Sequence, residues 1–206
     1  MRDHRIGDFL DQLAARVPAP GGGAAAALSA AQAAALLSMV ARYSTGEKYA
    51  EHAEIVAAVL AESEAARARA VRLAGDDATA FAVVSDAYRL PTATPAEKVV
   101  RTAAIQRALR GAAQPPAATI TMATRLVELA ETLLPVGNSN VISDVAVAAE
   151  LASAAASCAR LNVEINLAGL TEKDARVAFV DVLAGVDELL TRAAKVTAAV
   201  REAISR

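Results

Sequence analysis

The chain has one cysteine, Cys158, among its 206 residues, and no tryptophan. A lone thiol excludes an internal disulfide and leaves no sulfur cluster for zinc or iron–sulfur. Only two histidines occur, His4 and His52, too few for a histidine-based metal site. Excess charge is missing too: 21 Lys and Arg stand against 23 Asp and Glu, a formal net charge of −2 with pI near 5.8. No basic field draws in nucleic acid or an anionic membrane, and a small polar ligand suits this balance better. Nowhere do β-branched and polar residues alternate as in a strand. The stretch up to Arg16 mixes charges with Ile6, Phe9, Leu10 and Leu13 at helical spacing and lacks an apolar run of signal-peptide type. A cytoplasmic protein is expected.

Alanine and helix punctuation are abundant. The length suits one domain over residues 1–206, burying roughly 70% of the surface of the unfolded chain. Residues 21–41 are long and apolar enough to raise the question of a membrane span. They are mostly alanine and glycine, broken by Ser29, Gln32 and Ser38, so a buried helix of a bundle is expected instead. Further helices are predicted over 51–73, over 76–88 after Gly75, and from Pro95 to about Arg110. The last of these starts at Thr94-Pro95-Ala96-Glu97, which reads as a capping box with proline at the first helical position. Pro115-Pro116 is read as opening the next helix, to about Leu134, and a long alanine-rich one follows over 141–167. Thr171-Glu172-Lys173-Asp174 is read as the cap of a last helix reaching Ile204. The expected fold is all-α, an antiparallel bundle of seven or eight helices.

Chemistry is expected where polar residues interrupt this pattern. Pro18-Ala19-Pro20-Gly21-Gly22-Gly23 runs straight into the helix at Ala24, offering bare backbone, glycines free to take φ > 0, and the unpaired N–H groups of a helix start. Asp76 and Asp77 sit side by side, with Phe81 one turn beyond Asp77. They serve equally well as helix-dipole partners or, if Asp77 is buried, as a proton-transfer group working near neutral pH. Lys48, within Thr45-Gly46-Glu47-Lys48-Tyr49, and Lys98 with Arg101, which share a helix face, are candidate carboxylate binders or plain solvated surface. Asn138, Asn140, Ser143 and Asp144 have the types of helix caps. Asn162 and Asn166 lie four residues apart in apolar surroundings, where a buried amide needs partners from another helix or a ligand.

Taken in order, Phe9-Leu10, the Pro18 to Gly23 run, Met39-Val40-Ala41, Gly46-Glu47-Lys48-Tyr49, Asp76-Asp77-Ala78, Leu90-Pro91, Glu97-Lys98, Arg101, Ile105-Gln106, Gly137-Asn138, Ser143-Asp144 and Asn162 to Leu167 resemble the cyclodeaminase/cyclohydrolase family. The resemblance covers nearly the whole chain. It implies an all-helical homodimer acting on tetrahydrofolate derivatives, with no metal and no cofactor beyond that substrate. The two family reactions are hydrolysis of 5,10-methenyltetrahydrofolate to 10-formyltetrahydrofolate and release of ammonia from 5-formiminotetrahydrofolate. Cyclohydrolase is the first reading, cyclodeaminase the second, and a non-catalytic folate binder or helical scaffold the third.

On this resemblance Asp77 is the expected acid/base, with Asp76 or Asp144 supplying compensating charge. Gly21, Gly22 and Gly23 would give backbone contacts, Asn138, Asn140 and Asn166 would surround the ligand, and Lys48, Lys98 and Arg101 would hold its glutamate tail, possible polyglutamates included. Ala24 stands where the family usually has serine, and Glu47 where it has a second basic residue, changes expected either to weaken substrate binding or to mark a diverged member. The formiminotransferase half is absent from this sequence, so channelling within one polypeptide is not expected.

Overall fold

A computed structural model of the chain describes residues 5–205, other than the side chains of residues 174 and 175. Among the described residues every regular element is helical: α1 Ile6–Ala14, α2 Gly22–Tyr43, α3 Ala53–Tyr88, α4 Pro95–Leu133, α5 Ser143–Gly169, α6 Lys173–Ala184 and α7 Val186–Ile204, with short 3-10 turns at Glu47–His52 and Ser139–Val141. The nine-residue α1 buries none of its residues. Six helices therefore make up the packed body, fewer than the sequence predicts.

α2 lies between α3 and α5, α4 closes against both α3 and α5, and α7 packs on α5. Short connections turn each long helix back along its predecessor. Alanine explains the central place of α2. Ala24, Ala30, Ala33, Ala34 and Ala41 are inaccessible, together with Leu37 and Val40, and such small side chains let neighbouring backbones come close. By length and composition α2 is able to cross a membrane, yet most of it is enclosed by the bundle.

Three expected boundaries are corrected. Gly75 does not separate two helices, because α3 runs unbroken through it. A mid-helix glycine costs only about 1 kcal/mol relative to alanine, and the buried Leu73 and Ala74 hold the turn in place. Nor do Pro115 and Pro116 open a helix; both are buried inside α4. The predicted last helix is in fact two, parted at Gly185, and Glu172 holds the N-cap position of the first without a side-chain cap bond. The capping box is present as expected: Glu97 N–H donates to Thr94 Oγ1 at 3.2 Å, and Thr94 N–H donates to Glu97 Oε2 at 2.8 Å.

Outside the core, an ion network ties α3, α4 and α7 together. Arg125 donates to both carboxylate oxygens of Glu62 at 2.7 and 2.8 Å and to Glu128 at 2.8 Å, while Arg192 grips Glu131 at 2.6 and 3.0 Å. The Arg125 side chain is half exposed, so its pairs contribute about 1 kcal/mol or less. Arg125→Met is expected to lower Tm by about 2–4 °C at most in dilute buffer. Melting curves at rising salt check this, because screening should shrink the difference.

Candidate active site

The chain reaches α2 through Pro18-Ala19-Pro20, whose Ala19–Pro20 bond is cis. Gly21 takes the N-cap position and has no side chain to cap the first turn. The cap comes from α3 instead. Ala24 N–H donates to the Asp77 carboxyl, which lies so close to Gly23 that a Cβ built there would overlap it, at 2.6 Å from Oδ2. Glycine is needed at 23 for this approach and not for a left-handed backbone, because Gly46 is the one positive-φ residue among those described. At Gly22 a Cβ would meet only the Asn162 amide, at an ordinary 3.5 Å from Nδ2 and 3.8 Å from Oδ1. Burial pushes the Asp77 carboxyl above its usual 3.8, and the bond from Ala24 offsets part of that rise.

Asp77 opens into a cavity of about 400 Å³ floored by Gly21, Gly22 and Gly23. One wall is a single face of α3, on which Asp77, Phe81, Val84 and Tyr88 recur at helical spacing. Leu109 and Ala112 of α4 form a second wall, and Asn162, Ile165 and Asn166 of α5 form a third. Asp77 is the only Asp, Glu, Lys or Arg among these lining residues. A proline positions one of the amides. Pro116 has no N–H to give to Ala112 O four residues back, and Asn166 Nδ2 donates there at 3.4 Å while also donating to Asn162 O at 2.7 Å. Asn162 Nδ2 donates to Cys158 O at 2.8 Å.

Several sequence candidates lie elsewhere. Asp76 points to a separate open groove of about 830 Å³ between α3 and α4, since adjacent helical residues face about 100° apart. Lys48 is exposed beyond the C-terminal end of α2, its Nζ 5.3 Å from the Tyr49 ring centre. At 1.5 Å per residue, α2 puts that end roughly 33 Å from the glycines. Asn138 is at that far end too. Its Nδ2 donates to Tyr43 O and its N–H to Ser44 Oγ, both at 2.8 Å, and its Oδ1 accepts from Asn140 N–H, so it clasps two loops together. Asn140 and Asp144 follow it, away from the cavity. Arg101 is beside the mouth: it donates to Tyr88 O at 3.1 and 3.3 Å, and its guanidinium lies 5.6 Å from the centre of the Tyr88 ring. Lys98 is exposed one turn before it. Tyr88 and Ile165 escaped the sequence reading of the site, although the spacing of Tyr88 from Asp77 and Phe81 gives it away. No cluster of three His, Cys, Asp or Glu able to hold a metal occurs among the described residues.

Comparison with known proteins bears on this geometry. The model of the formiminotransferase-cyclodeaminase family matches residues 5–183. The chain belongs to that family. It is 41% identical over 169 residues to a methenyltetrahydrofolate cyclohydrolase of Methylorubrum extorquens, covering 82% of this chain and 81% of that protein. It is 35% identical over 171 residues to the formimidoyltransferase-cyclodeaminase of Rattus norvegicus, spanning 82% of this chain but only 32% of that longer protein. A crystal structure of formiminotetrahydrofolate cyclodeaminase from Thermotoga maritima superposes with TM-score 0.84 at 29% identity, covering 97% of this chain and 98% of that one. The all-helical architecture of the family is thus the architecture found here.

Proposed function

We propose that this member of the family is a methenyltetrahydrofolate cyclohydrolase. The observation that carries an enzymatic reading is the Asp77 carboxyl, held against Gly23 in a cavity it shares with two amides. The choice of reaction rests on the 41% identity to a cyclohydrolase matched over most of its length.

Water adds to the cationic methenyl carbon between N5 and N10, and Asp77 takes the proton that this addition releases. The carboxylate formed by losing its own proton also faces the cation before attack. The carbon is then tetrahedral. Its hydroxyl proton passes to N5 as the C–N5 bond breaks, leaving the formyl group on N10, with one proton released overall. The folate's glutamate tail leaves past Phe81 and Tyr88 toward Arg101, and Lys98 offers a second cation for a longer, polyglutamylated tail. Asp76, Asp144, Asn138, Asn140 and Lys48 have no part in this scheme, being outside the cavity.

Purified protein mixed with 5,10-methenyltetrahydrofolate should bleach its absorbance faster than buffer does. Ammonia release from 5-formiminotetrahydrofolate would instead favour cyclodeaminase, the reaction named for the Thermotoga maritima structure. No turnover of either compound would leave a binder.

The chain acts as a homodimer, supported by an uncharged face on α5. Val147, Leu151, Ala154, Cys158, Leu161 and Ile165 follow the alternating four- and three-residue steps of a helix-pairing seam, yet Val147, Leu161 and Ile165 are 47, 66 and 71% exposed. An apolar stripe so exposed calls for a covering surface. A second copy offers the same stripe, and Ile165 also lines the cavity, so the interface adjoins the site. Sedimentation should give twice 21.1 kDa. Leu161→Asp should give single chains of unchanged helicity.

A further inference from the structure

Both amides on the α5 wall have a fixed orientation. Their nitrogens donate to carbonyl oxygens, Cys158 O for Asn162 and Asn162 O and Ala112 O for Asn166. A carbonyl only accepts, so nitrogen and oxygen cannot exchange places without losing these bonds. Both side chains line the cavity, neither Oδ1 accepts a hydrogen bond from the described residues, and Asn162 Oδ1 lies 3.8 Å, with Nδ2 at 3.5 Å, from the position a Cβ would take on Gly22. Asn166 owes its orientation partly to Pro116, whose missing N–H frees Ala112 O to receive it. This wall is therefore neutral and offers mainly acceptors, two amide oxygens against the one N–H of Asn162 that these bonds leave over. The opposite side of the same cavity, at Tyr88, has Arg101 beside it, a cation with donors only.

We propose that Asn162 and Asn166 form an acceptor pair that reads the N–H edge of the folate's reduced pterin ring, its 2-amino and ring N–H groups, and so sets which way round the substrate enters. This rests on the folate reading above. The chemistry of the ligand matches the polarity of the cavity at both ends. A pterin has several N–H donors on one flat edge and meets oxygens at α5. The p-aminobenzoyl-glutamate end has carboxylates that α5 would repel, and it meets Arg101 at the mouth. Entered in reverse, the ligand would set carboxylates against two unpaired oxygens and leave its own N–H groups without acceptors, each such loss being costly in a partly desolvated site.

The test is a binding cycle between protein and ligand, read by equilibrium titration of 5-formyltetrahydrofolate and of its analogue with methyl in place of the 2-amino group. Wild type should bind the analogue at least tenfold more weakly than the parent. Asn162→Ala, whose amide nitrogen bonds only within its own helix, and Asn166→Ala should each bind the parent at least fivefold more weakly while discriminating less between the two ligands. The double variant should hardly discriminate at all. Because Asn166 also links α5 to α4, the ratio of the two affinities is the readout, and a general loosening of the fold would leave that ratio unchanged. If parent and analogue kept the same ratio in wild type and in both single variants, the acceptor pair would be ruled out while the folate reading survived. If wild type bound neither ligand, the folate reading itself would fail, and this inference with it.

Discussion

Asp77→Asn is expected to cut turnover of methenyltetrahydrofolate at least about a hundredfold, the usual contribution of a positioned acid/base, and to leave the protein no less stable at neutral pH. The two results have one cause. Burial raises the Asp77 carboxyl above its ordinary 3.8, so the folded state holds its proton more tightly than the unfolded chain does. Stability from this group is fully present below the unfolded value and is lost as pH climbs through the raised folded value. Asparagine is neutral throughout and still accepts from Ala24 N–H. The Tm of the variant relative to wild type should therefore rise from pH 4 to pH 8. A wild-type rate in the variant would remove Asp77 from the mechanism, and a Tm difference independent of pH would show that the carboxyl is not desolvated in solution.

Gly23→Ala should cost nearly as much activity as Asp77→Asn, without unfolding the chain. The added Cβ overlaps the end of one flexible side chain and no backbone, so the carboxyl swings away and the helix start survives. Alanine is itself the better helix former. Once the carboxyl has been displaced, replacing it should matter little. Gly23→Ala with Asp77→Asn should be within about threefold of the single variants in kcat/KM, since groups that act as a unit do not add. Gly22→Ala is the control, meeting Asn162 at ordinary contact distance, and should retain most of the wild-type rate. Equal damage at 22 and 23 would mean that the turn matters only as backbone and that Asp77 is not its partner.

Helix content and the order of polar motifs were legible in the sequence because periodicity and capping are local signals. The Thr94 capping box needs only four residues, and it formed as read. Gly75 and Pro115-Pro116 misled for the opposite reason: both have intrinsic helix-breaking tendencies that packing overrides, which no local pattern reveals. The site was half legible. Asp77, the glycine run and Asn166 converge on one cavity. Asn138 has the same side chain as Asn166, yet it fastens a loop some 33 Å away along α2, and only the three-dimensional arrangement tells a clasp from a ligand contact. Asp76 and Asp77 are neighbours in the chain but face different hollows, because the register of α3 is set by its packing.

α2 contributes just its first turn to the cavity, yet it stands between the helices that carry the remaining machinery, α3 with the carboxyl and α5 with the amides. Its girth is that of alanine from Ala24 to Ala35, where Leu28 and Gln32 are the only large side chains. It thus works as a gauge block: a bulkier residue at an inaccessible position such as Ala30, well away from the hollow, would wedge α3 and α5 apart and widen the gap that a flat ring has to bridge.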